Sequence, residues 1–507
     1  MGLNNDIRFY FLNYDFGENL SAVEMASFLR AQVFNMQFNV SPAMLTIKYN
    51  PHLSRYRMML YREGLLHHNS PVINLYEYYQ GRSDNLPDIR HRPEEGSDNS
   101  IHYQFDEDGL LMSINRYEEK KRVRRDIYDS KGYLGKTQYL DPENGYVRKE
   151  TYHRPDGSVC ICRHYRFFKG RNLLSAIDLI DEAGEAIQTF ASDHDFVAHW
   201  IRVLVKDDAF SILVVDNAST YYWALSKVNP ENMAKVFMIH GSHLQHAQDH
   251  AEGRLTGKLS MRYQEILQNL DRQDAVVVNT SRQKQHIEDR FGRQNNLYVI
   301  PHLVELSCSQ VAFMDRIPKS AILVAKYTKD NQQESLVRIF HQVVQRHPSA
   351  VLVLHGFGER EEAIKNLINE LGMERNIYLK DTLDDVDEAY NRASLAVSVS
   401  RQEPYSFFIL ESIAHGCPVV SYDYDYGPGD MIDHGRNGCL IERDNEAEMA
   451  KAIIELFDNE MKLKAMSDAS YIKAKHFKTD AIAGKWSRLI KTVYQSKFPV
   501  SQARVGL

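Results

Sequence analysis

The densest grouping of chemically useful residues lies in SRQEPYSFFILESIAHGCPVVSYDY, residues 400–424. Glu403 follows an apolar run that reads as a strand, and Glu411 stands eight residues on, inside a helical pattern. A carboxylate at a strand end can accept hydrogen bonds from sugar hydroxyls. A second one, a helical segment later, can hold a ribose diol. The helix between them turns its first N–H groups towards the same place, which favours a phosphate. The competing reading makes Glu403 a cap of that helix and leaves Glu411 in solvent. His240 and His243, in MIHGSH, follow another strand. Each is either a binding residue in a cleft or a satisfied histidine at a strand end. A basic run, Lys120, Lys121, Arg122, Arg124 and Arg125, can bind phosphates or simply form a solvated strand face.

These residues need elements to position them. Strands are predicted at 7–14, 43–49, 211–217, 235–240, 275–280 and 297–301, with an amphipathic helix over Ser21–Phe34. A second set of strands follows at 320–326, 350–358, 376–381, 395–400 and 418–424. Helices are expected between these at Gln333–Arg346, Glu361–Leu371, Asp385–Ala393 and Tyr405–His415, then near 446–458 and 461–492. Continuous apolar strands separated by helices indicate parallel sheets covered on both faces. Ligands of such sheets sit at the carboxyl ends of the strands.

Between the two sets the texture changes. The units FDEDG, YDSKG, DPENG, RPDG and IDEAG recur between residues 105 and 184 and each ends in Gly. They punctuate alternating segments such as Arg122–Tyr128, Tyr146–His153 and Ser158–Phe168, so an antiparallel meander of hairpins is expected. The resulting layout is a first lobe at 1–81, a meander insert at 82–190, the first lobe resumed at 191–317, a second lobe at 318–480, and a terminal helix at 481–507 returning to the first lobe.

The chain has 507 residues, enough for two or three domains, and its net charge of −7 gives no sign of a nucleic-acid protein. Hydrophobic residues make 43% and charged residues 25%, ordinary for a folded soluble chain. No apolar run is long enough to span a membrane, and MGLNNDIRFYF carries no secretion signal, so a cytoplasmic protein is expected, in places touching the inner membrane face. The cysteines, Cys160, Cys162, Cys308, Cys417 and Cys439, are few, scattered and odd in number, which fits a reducing compartment. Cys160 and Cys162 alternate along a predicted strand and read as packing residues rather than metal ligands.

The stretch EPYSFFILE resembles the E-x7-E motif of retaining glycosyltransferases of family 4, which have the GT-B fold. HGFGERE at 355–361, the Asp384–Tyr390 segment and YGPGDMIDHGRNGCLIE at 426–442 fall in the family's order. The meander narrows the resemblance to bacterial enzymes that glycosylate wall teichoic acids or serine-rich adhesins. SAVEMASFLRA, from residue 21, is similar to a stretch of the adhesin O-GlcNAc transferases. The fold so implied is α/β, with two Rossmann-like domains facing a cleft and an antiparallel meander inserted in the first.

The resemblance implies roles. Glu403 would contact the donor sugar and Glu411 the ribose. Backbone near Phe407 and Phe408, and the loop at Gly17, would face the diphosphate. His240 would stand near the donor sugar, with His243 a second candidate, and backbone near Lys380 and Asp381 would meet the uracil. Two departures stand out. Lys326 occupies the family's Arg position and Asn331 the position of its Lys, with Lys329 as a substitute cation. Ala22 stands where the adhesin enzymes have Gly, so a methyl crowds any close backbone approach there. The implied activity is transfer of glucose or N-acetylglucosamine from a UDP-sugar, with retention, to a teichoic acid or Ser-rich acceptor. It calls for no cofactor and no metal. The basic run would meet the acceptor. Assembly with itself or with a related glycosyltransferase is expected, and the alternative role is that of a catalytically degenerate partner subunit that recognises acceptor.

Overall fold

The computed structural model describes residues 7–18, 20–91, 100–245, 250–251, 254–255, 257–304, 310–381, 386–403 and 405–498. Cys308, Pro404 and the start of the Asp384–Tyr390 segment lie outside them. The chain divides into two compact units, residues 1–238 with 493–507, and residues 239–492.

In the first unit, five parallel strands lie side by side in the order Met233–Ile239, Phe210–Val215, Ile7–Asn13, Ala43–Thr46, Val72–Asn74. Their residues are buried almost without interruption, as expected of strands covered on both faces. The strand order reverses at Ile7–Asn13, so the loops after Asn13 and after Val215 flank a switch point. The helix Ala22–Phe38 runs one turn beyond its predicted end. It opens with a reciprocal cap: Glu24 accepts from the Ser21 N–H at 2.6 Å while the Ser21 hydroxyl accepts from the Glu24 N–H. Arg30, one helical face further on, is buried against Asp216, which follows Phe210–Val215. The segment that resembles the adhesin enzymes therefore has a plain structural meaning. Ser21 and Glu24 start the helix, Ala26 and Ala31 pack, and Arg30 ties the helix to the next strand end. Ala22 is exposed on the first helical turn.

The meander is an eight-stranded antiparallel sheet from Ile101–Phe105 to Ala186–Phe190, each strand paired with its sequence neighbour. Its repeated turns work by one device. Asp106, Asp129, Asp141, Asp156 and Asp181 each accept from the backbone N–H two residues on, and the glycine that closes each unit takes a φ between 73 and 88°. The sheet is fixed to the parallel layer by buried polar contacts. Gln80 donates to the carbonyls of Gly135 and His153 at 2.8 and 2.9 Å, and Arg163 reaches the Tyr76 hydroxyl and Asp193 at 2.8 and 2.6 Å. At the chain's end Tyr494 and Phe498 pack edge-on against Phe210.

In the second unit, the parallel pair Ala275–Val278 and Leu297–Val299 precedes a six-stranded parallel sheet. Its strands run in the order Ile377–Lys380, Val351–His355, Ile317–Val324, Ala393–Ser398, Val419–Tyr422, Gly438–Ile441. Counted along the chain this is 3-2-1-4-5-6, the doubly wound order. Its switch point lies between Ile317–Val324 and Ala393–Ser398, so ligands are expected at the loops after Val324 and Ser398. The helical stretch predicted at 461–492 is two helices, Glu460–Ala474 and Thr479–Lys497, broken by a short 3-10 turn at Lys475–Phe477.

Candidate donor site in the second unit

Glu403 lies in the loop after Ala393–Ser398, at the switch point, and is half-buried. The Ser400 hydroxyl donates to its Oε1 at 2.8 Å. Burial pushes the carboxyl above the usual range, opposed by hydroxyls of Ser406, Ser400 and Tyr424 that favour the charged form. Glu403 does not cap the following helix. Ser406 does, accepting from the Ile409 N–H, and this leaves the Glu403 carboxylate for other partners.

The helix Phe407–Ala414 then carries Glu411, which is half-buried rather than solvated. The buried Tyr390 hydroxyl donates to Glu411 Oε2 at 2.8 Å. Burial raises this carboxyl too, countered by Tyr390 and by His415. Phe408 is buried, Phe407 is half-buried, and the Phe407 N–H is already bonded to the Tyr405 carbonyl at 3.1 Å.

The other loop at the switch point follows Ile317–Val324. Lys326 and Lys329 are exposed there and form no ion pair among the described residues. Asn331, at the family's Lys position, brings no charge to this loop. Its amide nitrogen donates to the Lys326 carbonyl at 2.8 Å, and its oxygen faces the Ser400 hydroxyl at 3.2 Å. Ser400 has one proton to give, and the shorter bond assigns it to Glu403. Asn331 is thus bonded to the lysine loop and packed against the other loop of the switch point. Glycines hold the lysine loop from below. A Cβ on Gly356, at φ 151°, would stand 2.0 Å from the Ala325 carbonyl oxygen, and one on Gly358, at φ 153°, 2.5 Å from that of Tyr327. The Ala325 and Tyr327 N–H groups donate to the carbonyls of His355 and Phe357, at 3.0 and 2.9 Å, so HGFG and the lysine loop form one tight layer. Lys380 and Asp381 are exposed, and the Lys380 carbonyl accepts from the Gly356 N–H at 2.9 Å.

His240 is buried and stacks on His302, with ring centroids 5.5 Å apart. His302 stacks in turn on Phe407 at 5.1 Å, meets Tyr405 edge-on, and takes a 3.0 Å bond at Nε2 with the Asn279 amide. His240 is therefore linked through His302 to the start of the helix that carries Glu411. His302 stands in IPHLV, without a motif to mark it, and only this stacking identifies it. His243 is fully buried and stacks on Tyr426; burial, with His286 and Arg290 nearby, pulls its pKa down to about 3. Asp430 of the GPGD turn accepts from the Ser281 N–H at 2.7 Å, and Asp423 pairs with Arg282 at 2.7 Å, so this loop anchors the helix Ser281–Phe291.

Gly17 belongs to the first unit, in the loop after Asn13 at that unit's own switch point. Asn50 fixes the loop, donating to Asp15 and to the Phe16 carbonyl at 2.9 and 2.8 Å. A Cβ on Gly17 meets nothing within 4 Å. The basic run is divided by a bulge at Val123. Arg125 lies opposite Asn115 and Arg122 opposite Tyr117, so these two share a face, while Arg124 lies with Arg116 and Asp126 on the other. Arg124 is neutralised by Asp126 at 2.9 Å, Arg122 donates to Asn115 at 3.3 Å, and Lys120 and Lys121 are exposed at the turn.

Residues 315–473, which hold Glu403, Glu411, Lys326 and Lys329, match the family model of glycosyl transferases group 1. Over 95% of the chain and 74% of the relative, it is 22% identical to a poly(glycerol-phosphate) alpha-glucosyltransferase of Bacillus subtilis strain 168. It is 21% identical to a poly(ribitol-phosphate) alpha-N-acetylglucosaminyltransferase of Staphylococcus aureus strain COL, over 96% of the chain and all of the relative. A GtfA subunit of the UDP-N-acetylglucosamine–peptide N-acetylglucosaminyltransferase of Streptococcus gordonii is 24% identical, over 76% of the chain and 78% of the relative. Among solved structures, TarM superposes with a TM-score of 0.78 at 19% identity, covering 95% of this chain and 98% of that one. The GtfA/B complex gives 0.77 at 19%, covering 96% and 99%. The chain has the fold of the GT-B glycosyltransferases and carries, in its second unit, a glycosyl transferase domain of group 1.

Proposed function

We propose that the chain is a retaining hexosyltransferase that moves glucose or N-acetylglucosamine from a UDP-sugar to a hydroxyl of a wall teichoic acid or a Ser-rich adhesin. The observation that carries this is the carboxylate pair at the switch point: Glu403 set by Ser400, and Glu411 set by Tyr390 eight residues on. Glu403 accepts hydrogen bonds from the donor sugar and Glu411 from the ribose. Lys326, Lys329 and the N-terminus of Phe407–Ala414, with the backbone near Phe407 and Phe408, balance the charge that develops on the departing diphosphate. The same reading gives the loop at Gly17 a diphosphate-binding role, and has backbone at Lys380 and Asp381 meet the uracil. His240, braced by His302, lies towards the donor sugar. The departing phosphate takes the proton of the incoming hydroxyl on its own face, which retains configuration. No residue in this scheme requires a metal or a further cofactor.

The acceptor runs along the meander, where Arg122 and Arg125, with Lys120 and Lys121 at the turn, meet an anionic polymer; Arg124 is already neutralised. Assembly with itself or with a related chain through the meander follows the same reading, and the use of a nucleotide sugar sets the reaction on the cytoplasmic side, at the membrane for a teichoic acid. No helix among the described residues is long and apolar enough to cross a membrane. The role of a degenerate partner subunit is not favoured, because both carboxylates keep hydroxyl donors and the relatives matched over most of the chain are named as transferases.

The test is UDP release by the purified chain with UDP-glucose and with UDP-N-acetylglucosamine, in the presence of poly(glycerol phosphate), poly(ribitol phosphate) or a Ser-rich peptide. Release with one donor that is abolished in Glu403→Ala is expected. Release unchanged in Glu403→Ala would overturn the assignment of that residue, and no release with any pair would overturn the reading of a self-sufficient enzyme.

A further inference from the structure

Away from the donor site, among the described residues three potential metal ligands converge on one point of the meander. Cys162 and His164 belong to the strand Val159–Phe168 and Asp178 to its neighbour Arg171–Ile180. Their ligand atoms all lie within 4.8 Å of one another. His164 Nε2 is 3.2 Å from Cys162 Sγ and 2.9 Å from Asp178 Oδ2. Register produces this. Cys162 lies directly opposite Asp178, and His164, two residues on, returns to the same face. Opposite His164 stands Ala176, whose small side chain leaves the imidazole room to lean towards Asp178. Cys162 is buried, while His164 and Asp178 are reached by solvent at 39% and 20% of their side-chain surface.

The hydrogen bonding of this cluster is not self-sufficient. One ring nitrogen faces both a sulfur and a carboxylate oxygen. With one proton it donates to the carboxylate, and without it accepts from the thiol, but it cannot do both. A cation at that point satisfies all three atoms together. The surroundings are arranged for it. Thr189, across from Asp178 on Ala186–Phe190, donates to Asp178 Oδ1 at 2.6 Å and leaves Oδ2 turned to His164. Such an outer hydrogen bond orients a carboxylate ligand. Cys160 behaves differently: it is buried, and its Sγ lies 3.3 Å from the Tyr152 carbonyl, as a packing residue.

We infer that Cys162, His164 and Asp178 form a three-ligand site for a divalent ion of the zinc class, pinning two neighbouring strands of the meander and leaving a fourth position for water. Thiolate, imidazole and carboxylate together suit zinc, whereas magnesium and calcium take oxygen ligands. Tetrahedral zinc needs ligand atoms roughly 3.3–3.6 Å apart, so the Cys162–His164 and His164–Asp178 pairs open by a few tenths of an ångström when it binds.

The site is tested with the untagged full chain, freed of metal by chelation and titrated with Co2+. Because the chain holds 21 histidines, the decisive signal is the near-ultraviolet sulfur-to-cobalt band rather than total metal bound. The expected result is that this band saturates at one equivalent, disappears in Cys162→Ser, and is competed away by Zn2+. Affinity should fall about 10- to 100-fold in Thr189→Val, which keeps the ligands and loses only the outer hydrogen bond. Circular dichroism of each variant checks that it is folded. No band in the wild-type chain at excess Co2+, a band that survives Cys162→Ser, or an affinity unmoved by His164→Ala would each overturn the inference.

Discussion

Replacing Ser400 by Ala removes one hydroxyl and tests how the donor site holds its charge. Ser400 is fully buried and donates to Glu403 at 2.8 Å. A hydrogen bond to an ionised group contributes about 1.5–3 kcal/mol. The Ser406 and Tyr424 hydroxyls remain beside the carboxylate, and Glu403 keeps some solvent access, so the lower figure applies. Because the bond favours the charged form, its loss raises the Glu403 pKa further above the usual range, in the direction burial already pushes it. At about 1.4 kcal/mol per pH unit, the acid limb of kcat/KM moves up by about one unit. One unit below the wild-type limb, the variant keeps about a tenth of wild-type kcat/KM; well above both limbs the two are nearly equal. The assay is UDP release against pH for wild type and Ser400→Ala, with Asn331→Ala as control. Asn331 touches the other side of Ser400, so its removal leaves the limb in place. A uniform loss of rate with an unmoved limb would refute the view that Ser400 sets the charge of Glu403.

Gly356→Ala places a Cβ 2.0 Å from the Ala325 carbonyl oxygen at φ 151°, and backbone on both sides cannot yield cheaply; a loss of about 1–3 kcal/mol in urea unfolding is expected, with a lower kcat because this layer carries Lys326. An unchanged midpoint would show that the loops part easily. His243 has its pKa pulled down to about 3, so between about pH 6.5 and 3 the unfolded chain takes up a proton that the folded chain refuses. Stability present at neutral pH is then lost as pH falls, about 2 kcal/mol between pH 6.5 and 5. Urea unfolding at pH 7 and pH 5 should show a drop larger by that amount in wild type than in His243→Asn; equal drops would place a proton on the buried ring.

Most elements and the carboxylate pair could be read along the chain. Parallel strands bury both faces and so appear as continuous apolar runs, and the spacing of Glu403 and Glu411 is legible because one short helix joins them. The meander was equally legible, since each Asp accepts from a backbone N–H only two residues away and the closing Gly supplies the positive φ. Everything decided by contacts between distant segments was not. Nothing local says that Tyr390 holds Glu411, or that His302 stands between His240 and Phe407. The place of Asn331 is of the same kind: read along the chain it is a missing cation, while in the fold it is bonded to one loop of the switch point and packed against the other. The basic run looked like one surface, and a single bulged residue divides it between two faces, because side-chain direction in a strand depends on register with the partner strand. Register also brings Cys162, His164 and Asp178 to one point: pairing across strands, which no linear pattern of one strand contains, decides which side chains meet.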